Sequence, residues 1–155
     1  MDKQEKKQKP YRTKKYRKKK HIPSLGELSI SKYLTELKIK YEIEKTFDKC
    51  VHIKPLRFDF YLPDYNCCIE YDGEQHFQAI RKFGGKKGLK KTQFRDSLKV
   101  DFCIDQKITL IRIPYYKFDK FSDIIDISLQ WLSKNSSYCF VCDNTKEKPI
   151  VIKIQ

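Results

Sequence analysis

Two stretches near the middle of the chain alternate apolar and polar residues. From Leu56 to Leu62, the residues Leu56, Phe58, Phe60 and Leu62 fall on one face of an extended strand, and Arg57, Asp59 and Tyr61 fall on the other. From Cys67 to Asp72, Cys67, Ile69 and Tyr71 share one side and Cys68, Glu70 and Asp72 the opposite one. The turn residues Asp64-Tyr65-Asn66 lie between them, so the two segments read as a hairpin. Pairing across that hairpin brings Asp59 close to Glu70 and Asp72 on one face.

Helical spacing flanks this hairpin. Ser24 with Glu27 forms a capping-box pattern, and Leu28, Tyr33, Leu34, Leu37 and Ile39 continue it as a helix from near Leu25 to about residue 39. Tyr41, Ile43 and Phe47 predict a first strand. Phe94, Leu98 and Phe102 mark a second helix, Ile108 to Ile113 a fourth strand, and Ile124, Ile127, Trp131 and Leu132 a third helix. Ile150 to Ile154 is a candidate terminal strand. The order αβββαβα, without internal repeats, places the chain in the α/β (α+β) class with a mixed sheet flanked by helices. Lys82 to Lys91 carries Gly84, Gly85 and Gly88 among five lysines and reads as a flexible basic loop able to close over a substrate strand. It lacks the spacing of a phosphate-binding P-loop.

Charge narrows the partner. The 155 residues carry a formal net charge of +14, which points to an acidic polymer, nucleic acid, ahead of a membrane surface. Residues 1–20 hold eleven Lys or Arg against two acids and no apolar stripe, so 1–21 is expected to be a disordered basic arm adding salt-sensitive DNA affinity. Residues 22–135 form the expected folded domain and 136–155 a C-terminal extension. A hydrophobic content of 39% is enough for one core. No apolar run approaches a transmembrane length and the N-terminus lacks a secretory signal pattern, so a soluble intracellular protein is expected, nuclear or nucleoid-associated included. The six cysteines lack the density of a disulfide scaffold and are read as reduced. Cys139 and Cys142 form a CxxC without a second metal-binding pair; a structural Zn²⁺ recruiting Cys50 or His52 is the disfavoured reading.

Three ionised carboxylates on one face repel unless a cation or shared proton neutralises them. Asp59, Glu70 and Asp72 are therefore candidate ligands for Mg²⁺, or Mn²⁺, which take oxygen donors. His76, just beyond Gly73, is the candidate proton carrier. Each has a simpler competing role. Glu27 is explained by capping alone, Glu70 or Asp72 by a lysine salt bridge, and Asp96 by a surface pair with Lys99 or Arg95.

The order of elements and the segments Phe58-Asp59-Phe60-Tyr61-Leu62-Pro63, Ile69-Glu70-Tyr71-Asp72-Gly73-Glu74-Gln75-His76, Arg95-Asp96-Ser97-Leu98-Lys99 and Leu110-Ile111-Arg112-Ile113 resemble the restriction-endonuclease-like, PD-(D/E)xK superfamily. Within it they look like the very-short-patch-repair (Vsr)-like branch, which includes EDxHD homing endonucleases. The resemblance covers roughly residues 25–115. It implies an αβββαβ core and a Mg²⁺-dependent DNA endonuclease of repair or homing type, with a nucleic-acid binder that has lost activity as the alternative. Glu27 would be the first-helix acid, Asp59 the central metal ligand, Glu70 the third-strand acid, His76 the histidine and Asp96 the second-helix acid. The superfamily lysine two positions after the third-strand acid is replaced by Asp72. A monomer suits a nicking enzyme and a homodimer a double-strand cutter.

Overall fold

The computed structural model describes residues 21–135 throughout and the backbone of 139–142 and 150–153. The N-terminal basic arm and the side chains of the CxxC lie outside these described residues.

Ser24 caps the first helix, α1 (Leu25–Glu36), with the expected reciprocal bonds: its hydroxyl accepts from the Glu27 amide, and the Glu27 carboxylate accepts from the Ser24 amide. The helix stops three residues earlier than its apolar spacing suggests, because the chain turns through Lys38 at φ 56°. Strands β1 (Glu42–Val51), β2 (Pro55–Leu62) and β3 (Cys67–Asp72) follow as an antiparallel meander. Helix α2 (Gly85–Asp105) crosses over to β4 (Thr109–Pro114), parallel to β3. Helix α3 (Phe121–Lys134) crosses to β5 (Cys139–Cys142), parallel to β4, and β6 (Ile150–Lys153) closes the edge antiparallel to β5. The six strands lie in sequence order in one mixed sheet. Ile150 to Lys153 forms the expected terminal strand; β5, a four-residue segment, was not anticipated.

Helices cover both faces. Ile30 and Leu34 of α1 and Ile124, Ile125 and Leu129 of α3 pack on Phe60, Leu62, Ile69, Ile111 and Ile113. On the other face Phe102 and Cys103 of α2 pack on Phe58, Cys68 and Leu110. Strands β3 and β4 are thus buried on both sides, which explains their nearly unbroken apolar sequences and makes any charge within them conspicuous.

Two expectations are corrected. Leu56 and Phe58 do not share a face with Phe60 and Leu62: the first pair packs under α2, the second under α1 and α3. The alternation breaks between Phe58 and Phe60, at Asp59. Glu44, placed opposite Asp59 by the pairings of Ile43 with Phe60 and Lys45 with Phe58, has φ 50°, so both strands are irregular there. Second, the glycine-lysine segment is the start of α2 rather than a loop. Gly84, at φ 90°, turns the chain out of a short 3-10 turn (Arg81–Phe83). At Gly88 a Cβ would lie 1.8 Å from the Phe83 carbonyl oxygen. These glycines permit close backbone approach, and lysine itself is a good helix former. None of the helices among the described residues is long and apolar enough to cross a membrane.

Gly26 seats α1 on the sheet. A Cβ at this position would fall 2.2 to 2.5 Å from ring atoms of Tyr71, next to the strand-end acids. Gly26→Ala is expected to destabilise the protein by about 1–3 kcal/mol through overpacking, read as a lower urea midpoint at unchanged slope; an unchanged midpoint would show that α1 is not held this closely.

Candidate active site

The β2–β3 ladder runs through Leu62 with Cys67, Tyr61 with Cys68 and Phe60 with Ile69. At the next position side chains replace backbone acceptors. The Asp59 amide donates to Glu70 Oε1 at 3.2 Å, and the Tyr71 amide donates to Asp59 Oδ2 at 2.8 Å. The two carboxylates therefore hold the strands apart while satisfying amides that would otherwise be orphaned.

Glu70 is buried, and its other oxygen, Oε2, accepts from Lys99 Nζ at 2.6 Å. Lys99 comes from α2, three residues after Asp96, and its stem lies against Phe58 with Nζ 5.1 Å from the ring centroid. Asp72, two residues along β3 and on the same face as Glu70, is also buried. Its Oδ2 accepts from Arg112 Nε at 2.7 Å, whereas its Oδ1 is buried with no hydrogen-bond partner. Arg112 Nη2 continues to Asp96 Oδ2 at 2.9 Å, and His76 Nδ1 reaches that same oxygen at 2.7 Å. His76 is carried there by the 3-10 turn Glu74–His76 that follows β3. Asp72, His76 and Asp96 each offer a ligand atom within 4.8 Å of the others.

Burial governs the ionisation of these acids. Desolvation pushes the Asp59 carboxyl up to about 6; the Tyr71 amide and Lys99 oppose it, and Glu27 and Asp72 reinforce it. Burial likewise acts upward on Glu70, opposed by the Lys99 ammonium 2.6 Å from its carboxylate. Desolvation is the largest single influence on Lys99 and acts downward, but Glu70, Asp59 and Asp96 together outweigh it and raise the ammonium, which holds Glu70 as an ion pair. At Asp96 burial acts upward, but the His76 hydrogen bond and the Arg112 guanidinium outweigh it and keep this carboxyl below its usual range.

Of the six predicted residues, five converge. Asp59 and Glu70 meet across the strands, Glu70 accepting from the Asp59 amide and Asp59 from the Tyr71 amide; Asp72, His76 and Asp96 form the neighbouring group, and β3 joins the two. Asp96 does not make the surface pair considered for it; it is buried against His76 and Arg112, and Lys99 pairs with Glu70. Glu27 stays engaged in its cap and 3.4 Å from His21, close enough to Asp59 to raise its pKa. The sequence motifs assign Arg112 no role and Lys99 only a surface pair with Asp96. Their signals were present: Lys99 is one helical turn from Asp96, and Arg112 is the single charge in an apolar strand. Cys50, the recruit named for the disfavoured zinc site, is a free thiol buried in the core below α2, as are Cys68 and Cys103.

No family model matches the chain. It is similar to the uncharacterized protein 307L of invertebrate iridescent virus 6, 39% identical over 61 residues covering 39% of this chain and 31% of the relative. It is also similar to the uncharacterized protein 094L of frog virus 3, 35% identical over 81 residues covering 46% of this chain and 52% of that protein. The matches thus span about a third and about half of these viral relatives.

The raised Asp59 carboxyl links stability to pH. Its favourable contribution is full below the ordinary value of 3.8, is lost as pH rises through about 6, and is absent at neutral pH, where the buried charge is a cost. Asp59→Asn should therefore stabilise the metal-free protein at pH 7.5 by about 1–3 kcal/mol, a few degrees in Tm, and the gain should shrink at pH 5. A lower Tm for the variant at pH 7.5 would contradict this electrostatic assignment.

Proposed function

We propose that this chain is a divalent-metal-dependent DNA endonuclease with a restriction-endonuclease-like core of the Vsr-like type. The reading rests chiefly on one observation: Asp59, Glu70 and Lys99 stand beside the His76–Asp96 pair at the same end of a mixed sheet.

The donor set suits a hard cation. When ionised, the carboxylates of Asp59, Glu70, Asp72 and Asp96 outnumber the cations Lys99 and Arg112 by two, and Asp72 Oδ1 is buried without a hydrogen bond, 3.5 Å from His76 Nδ1. Arg112 already neutralises the Asp72–Asp96 end, so the uncompensated charge lies towards Asp59. Asp59 and Glu70, with Asp72 behind them, would hold Mg²⁺ or Mn²⁺, which supplies charge stabilisation at the scissile phosphate and acidifies a bound water.

The chain's own groups account for the remaining steps. Asp96 accepting at Nδ1 favours the tautomer in which His76 Nε2 is an open acceptor, and it stabilises the imidazolium that results. Water oxygen attacks phosphorus, its proton passes to Nε2, and the bond from phosphorus to the leaving sugar oxygen breaks with the electron pair on that oxygen, which takes a proton from solvent water. Where the superfamily pattern carries a lysine two residues beyond the third-strand acid this chain has Asp72, and Lys99 of α2 would supply the ammonium instead, 2.6 Å from the Glu70 carboxylate. Arg112 keeps Asp72 and Asp96 in register with the histidine. Between Arg81 and Arg95 seven residues are cationic and none is acidic, and all seven side chains are exposed. This first half of α2 gives a DNA backbone an electrostatic approach to an acidic centre that would otherwise repel it.

Purified protein should nick or cut plasmid DNA with Mg²⁺ and not with EDTA. Asp59→Asn and His76→Ala should each lower the rate by at least about 100-fold. The wild-type rate should fall as pH drops below about 6, where the Asp59 carboxyl takes up a proton and loses its hold on a cation. Tight DNA binding with no cleavage under any condition would instead favour a nucleic-acid-binding protein that retains the fold.

A further inference from the structure

Beside the His76–Asp96 pair opens a cavity of about 400 Å³, at the lower end of the size range of small-ligand pockets. Its floor is the Asp72, His76, Asp96 and Arg112 cluster. The walls above that floor have no part in the hydrolysis. Phe77, Val100 and Pro114 are apolar, and Gln93, Ser97 and Asp101 are polar. Gln93, Ser97, Val100 and Asp101 recur at helical spacing, so one face of α2 supplies most of this wall. Phe77 follows His76 directly, is 37% exposed and sits 5.4 Å from the Tyr116 ring centroid, a partner that steadies an otherwise open aromatic face.

An aromatic ring and two apolar side chains in the same lining as an amide, a hydroxyl and a carboxylate suit a planar heteroaromatic ring with a hydrogen-bonding edge. A phosphate does not suit the upper part, because Asp101 adds a negative charge there, and the chain's exposed cations cluster instead on the preceding turns of α2. We propose that this cavity receives one unpaired nucleobase of the DNA next to the cleaved bond, an inference that rests on the endonuclease reading. The ring would lie against Phe77 and the Pro114–Val100 side, as bases stack on aromatic platforms. Its edge would meet Gln93, Ser97 and Asp101. Ser97 Oγ donates to the Phe94 carbonyl at 2.8 Å, so its remaining capacity is to accept. Two acceptors, Ser97 Oγ and the Asp101 carboxylate, select a base that presents an exocyclic amine, cytosine before thymine. The substrate class is therefore DNA with an unpaired or extrudable nucleotide, since a fully stacked duplex cannot place a base there without the cost of unstacking.

The test uses full-length protein carrying Asp59→Asn, so that binding is read without cleavage. Two short duplexes are compared, one fully paired and one identical except for a single unpaired cytosine. The unpaired probe should bind about tenfold more tightly, in line with one stacked and hydrogen-bonded base. Adding Ser97→Trp, an exposed helix position whose new ring fills the cavity, should erase that preference while leaving paired-duplex affinity within about twofold. Asp101→Asn, which keeps the helix and removes the charge, should narrow the preference for unpaired cytosine over unpaired thymine and serves if the tryptophan variant melts early. Equal affinity for the two duplexes, no binding of either, or a preference that survives Ser97→Trp would overturn the pocket assignment. Metal-dependent plasmid cleavage by the unmutated protein, measured alongside, tells that failure apart from failure of the endonuclease reading.

Discussion

The substitution of two carboxylates for two backbone acceptors between β2 and β3 is the constraint from which the rest of the site follows. Beyond Phe60 and Ile69 the strands are joined through Asp59 and Glu70 rather than through each other's carbonyls. That exchange fixes both acids without flexible linkers, since each is tied to a backbone amide of the opposite strand. It also opens the sheet. The switch of face between Phe58 and Phe60 occurs at this position, so the residues on either side of Asp59 bury themselves in different cores. The local irregularity thus coincides with the point where the β2–β3 ladder passes from backbone to side-chain acceptors.

Such an arrangement is costly in the absence of a cation, and the surroundings show how the cost is contained. Lys99 and Arg112 each satisfy buried carboxylates with short hydrogen bonds, but they leave two negative charges unmatched. The mismatch is unevenly distributed. Arg112 binds the Asp72–Asp96 end tightly enough to order His76, whereas Asp59 has no cation within salt-bridge distance among the described residues. On the proposed reading the fold accepts this instability because the charge that resolves it arrives with the substrate complex, the usual relation between a strained site and its function.

Much of the core hairpin could be read from the sequence because period-2 alternation and turn residues report directly on which side chains share a face. That logic placed Asp59 opposite Glu70 and put Cys67 and Ile69 on the face opposite Cys68, although β3 is buried on both faces. It failed at Phe58, where a tertiary irregularity overrides alternation, and at Gly84 to Gly88, where glycine serves close packing rather than mobility. Asp96 was ambiguous for a different reason: a helix carrying charges on several faces does not reveal which one points inwards. Only the packing of Phe102 and Cys103 fixes the rotation of α2 and so decides that Asp96 and Lys99 turn toward the sheet. Long-range partners such as Arg112 with Asp72, forty residues apart, leave no local signal beyond a charge in an apolar strand.

The central claim is that the uncompensated charge around Asp59 holds a divalent cation. Its most direct test is an anomalous difference map from crystals grown with Mn²⁺. The account predicts a peak within ligand distance of the Asp59 carboxylate, shared with Glu70 or the free Oδ1 of Asp72. A map with no peak at this end of the sheet, or with one confined to surface carboxylates such as Asp105, would contradict it.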